Sequence, residues 1–253
     1  MKFIAIIPAR YASTRFPGKP LAMLGGKTII QRVYERVAGV VDKVVVATDD
    51  ERIADNVRSF GGEVVMTGSH HRSGTDRCFE AYQKIGGAED VVINVQGDEP
   101  FISPSQIELL KGCFADASTR IATLVKPFAP DAAYDTIANP NSPKVVVSRA
   151  SFALYFSRSV IPYLRGTEQS LWPAAHTFYK HIGLYAFRAD TLAEVTRLEQ
   201  STLETAESLE QLRWIENGYA IKVAVTHEET IGIDTPDDLK MAQECLKTTK
   251  NQA

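Results

Sequence analysis

Short apolar runs without polar alternation recur down the first half of this chain, and each is followed by a segment with helical spacing. No other feature constrains the fold as strongly. Phe3-Ile4-Ala5-Ile6-Ile7 is the first run; Lys43 to Ala47, Glu63 to Met66, Val91 to Val95 and Ile121 to Val125 repeat it. A strand that is apolar on both faces belongs in a parallel sheet covered on both sides. Between the strands, Thr28 to Val40 carries Ile29, Ile30, Val33 and Val37 at helical spacing. Asp50 to Ser59 does the same with Ile53 and Val57, and Thr75 to Lys84 follows. Ser103 and Pro104 read as the N-cap and first residue of a helix running to Phe114. The alternation predicts an α/β fold with a doubly wound, Rossmann-like, mostly parallel sheet. Ligands of such sheets collect at the carboxyl ends of strands near the switch point, so the residues just after each strand are the candidates for function.

The second half reads differently. Phe128 to Pro143 is rich in Pro, Asn and Asp and reads as loop. Lys144 to Ser148 and Phe152 to Phe156 look like a hairpin, and Arg165 to Phe178 is a long polar connection. His181 to Phe187 is a strand, Ala189 to Leu198 and Glu207 to Asn217 are helices, and Ile221 to Val225 and Thr230 to Ile233 are strands. Pro236 to Leu246 is the final helix, and Lys247 to Ala253 reads as a frayed tail. No clean linker interrupts the 253 residues, so one domain is expected, in three parts. Residues 1–127 are expected to form an α/β, ligand-binding half, 128–190 a β-rich insertion, and 191–250 the helices that complete the sheet.

Composition excludes several classes. The formal net charge is −3, whereas general nucleic-acid binders are usually basic. No apolar run is long enough for a membrane span, and the six apolar residues before Pro8 are too few for a signal-peptide core, so a cytoplasmic location is expected. Cys78, Cys113 and Cys245 are odd in number and far apart; buried or inert thiols are expected rather than a zinc site or disulfides. Gly26-Lys27-Thr28 fails as a phosphate-binding P-loop because Leu21 stands where a glycine is required. The dinucleotide fingerprint fails too, since no two glycines lie two apart.

Three cations, Arg10, Arg15 and Lys19, share the loop after the first strand. Pro17, Gly18 and Pro20 restrict or turn that loop. Several positive groups at close quarters suit a phosphate chain; by charge alone, a solvated basic loop is the plainer reading. Asp98 follows the VVINV strand after Gln96 and Gly97, and Asp234 precedes the last helix. Two carboxylates at two strand ends suit Mg²⁺, which takes one or two carboxylates plus phosphate oxygens and water. Turn closure by Asp98, and helix capping by Asp234 or Thr235, are the structural alternatives.

PARYASTRFPGKPLAMLGGKTII, over residues 8–30, resembles the signature loop of sugar nucleotidyltransferases. In order, VVVATDDERI, SGTDR, NVQGDEPFI, ALYFSRSVIP, YKHIGLYAFR, LETAESLEQLR and GIDTPDDL are similar to blocks of the 3-deoxy-manno-octulosonate (Kdo) cytidylyltransferase family, nearly end to end. The resemblance implies Mg²⁺-dependent transfer of CMP from CTP to Kdo, with release of pyrophosphate, for lipopolysaccharide biosynthesis. It implies catalytic roles for Arg10, Lys19, Asp98 and Asp234, the two aspartates as metal ligands. It implies substrate contacts from Arg15, Gln96, Ser73 and Arg77, the last two toward cytosine. His181, Tyr185, Glu210 and Gln211 would face the sugar. His70 and His71 are expected as exposed loop histidines. The β-rich insertion resembles the family's dimerisation region, with Phe152, Leu154, Phe156 and Tyr163 as apolar surface, so a homodimer is implied. Transfer to an 8-amino analogue or a sialic acid is the close alternative. A glycosyltransferase would use Asp-x-Asp, which the chain lacks, and a non-catalytic nucleotide-sugar sensor would not need the full charged set.

Overall fold

The apolar run Phe3–Ala9 becomes strand β1, which has a parallel neighbour on each side within the first unit's strands. A computed structural model describes residues 1–13, 15–229 and 232–250, with the backbone alone over 247–250. The chain divides into two compact units, 1–108 with 230–253, and 109–229.

In the first unit a two-residue hairpin, β2 (Met23–Leu24) and β3 (Lys27–Thr28), leads into α1 (Ile29–Ala38). Then come β4 (Lys43–Thr48), α2 (Glu51–Ser59), β5 (Val64–Met66), α3 (Gly74–Lys84) and β6 (Val91–Asn94). The parallel order is β6-β1-β4-β5. The chain steps outward from β1 to β5, then returns to the other side of β1, which puts the switch point between β1 and β6. The pattern is apolar because these strands are buried: Ile4, Ala5, Ile6 and Ile7 are fully enclosed, as are Val91, Val92 and Ile93. Helix faces match the spacing, with Ile29, Ile30, Val33 and Val37 of α1 and Ile53, Ala54 and Val57 of α2 buried. Thr28, Asp50 and Ser73 cap the three helices by accepting the amides of Gln31, Arg52 and Asp76. α4 (Pro104–Cys113) starts at the expected proline.

The second unit holds β7 (Ile121–Pro127), α5 (Tyr134–Ala138), β8 (Lys144–Val147), β9 (Ala153–Ser157) and α6 (Trp172–Ala175). β10 (Tyr179–Arg188), α7 (Ala189–Val195), α8 (Thr202–Glu207), α9 (Gln211–Glu216) and β11 (Ile221–Val225) follow. Its strand order is β11-β7-β10-β8-β9, parallel at β11–β7 and antiparallel elsewhere. The α/β class expected from the sequence is the observed one.

Several local expectations need correction. The helix expected over Glu207 to Asn217 is shorter, α9 (Gln211–Glu216), and a separate helix not expected from the sequence, α8 (Thr202–Glu207), ends just before Ser208 (φ 50°). That end is tied down from afar, because the Arg158 guanidinium donates to the carbonyls of Glu207 (2.6 Å) and Ser208 (3.2 Å). The polar stretch 165–178 folds around Trp172 and Phe178, which pack with Ile137 in a small core of their own. Gly232 and Ile233 are not in a strand; the other half of that expected strand, residues 230 and 231, lies outside the described residues. The last helix, α10, runs Pro236–Lys250, so most of the expected tail is helical; residues 251–253 lie outside the described residues. Cys78 is buried, but Cys245 is exposed.

One glycine sets how closely the exits of β1 and β6 approach. A Cβ on Gly97 would sit 2.8 Å from the Pro8 carbonyl oxygen, a backbone atom that cannot swing aside. Gly97→Ala should therefore lower stability by about 1–3 kcal/mol, read as a drop in urea midpoint at unchanged slope; a midpoint equal to wild type would show that the two exits are not in enforced contact.

Candidate active site

The loop leaving β1 is closed on itself before it offers any charge. Gly18 adopts φ 71°, and its amide donates to the Tyr11 carbonyl at 2.9 Å. The Arg52 guanidinium lies 3.3 Å from the centre of the Tyr11 ring and pairs with Asp50. Lys19 opens a single helical turn, Lys19–Leu21, anchored by buried Pro20. Its ammonium donates to Asp98 Oδ2 at 2.6 Å and to Asp234 Oδ1 at 3.1 Å. Arg15 reaches the other oxygen of Asp234 at 3.0 Å. Lys19 is the sheltered member, its side chain 13% exposed against 47% for Asp234.

Backbone contacts hold the two carboxylates together. The Ile233 amide donates to the Asp98 carbonyl at 2.9 Å, so the segments carrying Asp98 and Asp234 run side by side. The capping alternative for Asp234 is resolved by its neighbours. Thr235 caps α10: its hydroxyl accepts the Asp238 amide (3.2 Å), and the Asp238 carboxylate accepts the amides of Thr235 (2.8 Å) and Asp234 (3.0 Å). Burial would raise the Asp238 pKa, but these donors hold it below the usual carboxylate range. The Asp234 side chain is thereby left to Lys19 and Arg15.

A cavity of about 380 Å³ lies over these groups. Among its lining residues are Arg10, Arg15, Lys19, Ser73, Arg77, Gln96, Asp98 and Asp234, all eight of the expected residues that belong to the first unit. Ser73 and Arg77 carry structural duties as well. Ser73 caps α3, as the alternative reading had it. Arg77 is 4% exposed, and its guanidinium donates to Thr67 Oγ1 (2.6 Å) and Asp49 Oδ2 (3.0 Å). His71, expected as an exposed loop histidine, is instead a largely covered lining residue packed on Glu80, its side chain 11% exposed; His70 is exposed as expected. Arg72 and Gly74 also line the cavity without having been singled out; their signal was adjacency to Ser73.

The other four expected residues gather in the second unit. A bulge between Ile182 and Tyr185 interrupts β10, and the His181 and Tyr185 rings lie 5.3 Å apart. Four residues of regular strand would span about 13 Å. Phe156 packs edge-on to His181 at 5.1 Å, and Thr123 Oγ1 lies 3.3 Å from its Nε2. Burial lowers the His181 pKa to about 3, which keeps the ring neutral near pH 7. Burial pushes the Tyr185 phenol up, and the charge of Glu210 adds to this. Trp214 of α9 packs edge-on to Tyr185 at 5.0 Å, one turn from Gln211. Among the described residues the buried Gln211 amide nitrogen has no hydrogen-bond partner, an arrangement that calls for an explanation.

A family model described as cytidylyltransferase matches residues 4–229. The chain belongs to the cytidylyltransferase family. Its likeness extends end to end: it is 64% identical to the 3-deoxy-manno-octulosonate cytidylyltransferase of Phocaeicola vulgatus, covering 100% of both chains. It is 49% identical to the enzyme of that name from Geobacter metallireducens, over 97% of this chain and 98% of that one. Among solved structures, CMP:2-keto-3-deoxy-manno-octonic acid synthetase complexed with CTP matches at a TM-score of 0.90 and 42% identity, covering 98% of this chain and 100% of that one. A cytidylyltransferase from Leptospira borgpetersenii shares the fold at 16% identity and a TM-score of 0.61, over 98% of this chain and 87% of that one. Among the described residues of this cytidylyltransferase, no helix is long and apolar enough to cross a membrane.

Arg77 separates scaffold from recognition. Arg77→Met should cost about 2–3 kcal/mol of stability by leaving Asp49 without its cation, measured by chemical unfolding; wild-type stability would show that the pair with Asp49 contributes nothing to the fold.

Proposed function

We propose that the chain transfers CMP from CTP to Kdo, giving CMP-Kdo and pyrophosphate. The observation that carries this reading is the convergence of Asp98 and Asp234 on one ammonium, under a cavity lined by four further cations, Arg10, Arg15, Arg72 and Arg77. Net charge alone hides this, because the opposition is local. A triphosphate needs that cationic wall, and its metal needs the carboxylates. The relatives named as 3-deoxy-manno-octulosonate cytidylyltransferases, matched over 100% and 98% of their length, support the same substrates.

The residues fit Mg²⁺. Two carboxylates already converge on positive charge in the form of the Lys19 ammonium. Among the described residues no third His, Cys, Asp or Glu completes a metal group with them, which suits an ion that takes its remaining ligands from phosphate and water. Asp98 and Asp234 would hold it. Bound there, Mg²⁺ would neutralise phosphate charge and ease deprotonation of the attacking sugar hydroxyl.

The chain's own groups do the rest. Arg10, Arg15 and Lys19 offset the charge that develops on the α-phosphate and the leaving pyrophosphate. Gln96, Ser73 and Arg77 border the nucleotide. In the second unit, neutral His181, the Tyr185 phenol, the Glu210 carboxylate and the unpaired Gln211 amide offer the donors and acceptors that a polyhydroxylated acid requires. An orphaned buried amide is costly until a partner satisfies it, and a sugar hydroxyl is such a partner.

The proposal includes a cytoplasmic location, where CTP is made, a place in lipopolysaccharide biosynthesis, and a homodimer. For the last, Leu154 (57%) and Tyr163 (73%) of the insertion are exposed, whereas Phe156 turned inward as core.

Pyrophosphate release with CTP, Mg²⁺ and Kdo tests the reading. Turnover is expected with the wild-type chain and a loss of about 100-fold or more in kcat for Asp98→Asn. No turnover by folded, metal-supplied protein would sink the assignment, and faster turnover with an 8-amino analogue or a sialic acid would move it to that acceptor.

A further inference from the structure

Residues 67–73, between β5 and α3, supply one wall of the cavity through His71, Arg72 and Ser73. The stretch is neither strand nor helix, so side chains must fix its shape. Glu80, seven residues after Ser73 on α3, does so from below. Its Oε2 accepts the Gly68 amide at 2.9 Å and a hydrogen bond from His71 Nε2. Its Oε1 pairs with Lys84 at 2.7 Å. Gly68 and His71 stand at the two ends of the turn, and one carboxylate oxygen binds both to the helix.

The group is held in its charged form. Burial alone would raise the Glu80 pKa, but hydrogen bonds from Lys84, His71 and the Gly68 amide overcome that and bring it to about 2. An ionised acceptor on Nε2 fixes the imidazole tautomer: Nε2 carries a hydrogen, and Nδ1 remains for other partners. The His71 side chain is 11% exposed and Glu80 22%, so the contact is largely sheltered from water. Neither residue has a part in the chemistry described above.

We propose that Glu80 is a positioning residue of the nucleotide site: it sets the shape of the 68–72 wall and the orientation of His71 toward bound nucleotide. Its effect falls on CTP affinity and not on the transfer step. This rests on the reading of the cavity as a CTP site, so the test measures binding separately from turnover.

CTP affinity by calorimetry, with kcat and both KM values, is compared for wild type, Glu80→Ala, Glu80→Gln and His71→Ala. Glu80→Ala should raise Kd and KM for CTP about tenfold, or ~1.4 kcal/mol, with kcat and KM for Kdo changed by less than about twofold. Glu80→Gln keeps an acceptor but loses the charge, so about threefold is expected; it carries the test if the alanine chain does not fold. In a His71→Ala background, Glu80→Ala should cost less than it does in wild type. Wild-type CTP affinity in both Glu80 variants, or an equal loss in kcat and both KM values, overturns the proposal. Wild-type protein that binds CTP without turnover would remove the transfer reaction and leave the Glu80 comparison intact; wild-type protein that binds no CTP removes both.

Discussion

One lysine holds together three segments that are far apart in sequence. The Lys19 ammonium meets Asp98, 79 residues on, and Asp234, 215 residues on. Two carboxylates that meet at one ammonium would repel each other without a cation between them. Lys19 removes that repulsion, and everything around it serves to bring it there. The closed Tyr11–Gly18 loop aims it, Gly97 lets the exits of β1 and β6 approach, and the Ile233 amide ties the Asp234 segment to Asp98. In the proposed reaction a divalent cation would share these two ligands with the ammonium.

As the proposed nucleotide site, this cavity needs no glycine-rich phosphate loop. Such loops present backbone amides to phosphate at a helix N-terminus. Here side-chain cations line the cavity instead, three of them on a loop stiffened by Pro17, Pro20 and the Tyr11–Arg52 stack. Rigidity matters because phosphoryl chemistry asks the protein mainly for positioning and charge.

Much of the fold was legible in the sequence because burial on both faces writes itself as uninterrupted apolar residues. Phe3 to Ile7 and Val91 to Val95 could scarcely be read otherwise. Where tertiary contacts outvote local pattern, legibility failed. The helix expected from Glu207 begins only at Gln211, because the Arg158 guanidinium captures the carbonyls of Glu207 and Ser208 and the chain turns there between α8 and α9. Asp234 was ambiguous because Asp, Thr and Pro in a row suit a helix start; only the reciprocal bonds between Thr235 and Asp238 show which residue caps. His71 looked like an exposed loop residue because its partner, Glu80, lies nine positions away on a helix, at a spacing no periodicity marks. The grouping of eight expected residues around one cavity was legible through block-by-block resemblance, and their charges alone would have passed for a solvated surface.

The central claim is that Asp98 and Asp234 act as one cation receptor. Mn²⁺ titration followed by electron paramagnetic resonance, on wild type, Asp98→Asn and Asp234→Asn, tests it most directly. The account predicts that each substitution alone weakens Mn²⁺ binding about tenfold or more in a folded chain. Wild-type Mn²⁺ affinity in either variant would contradict it.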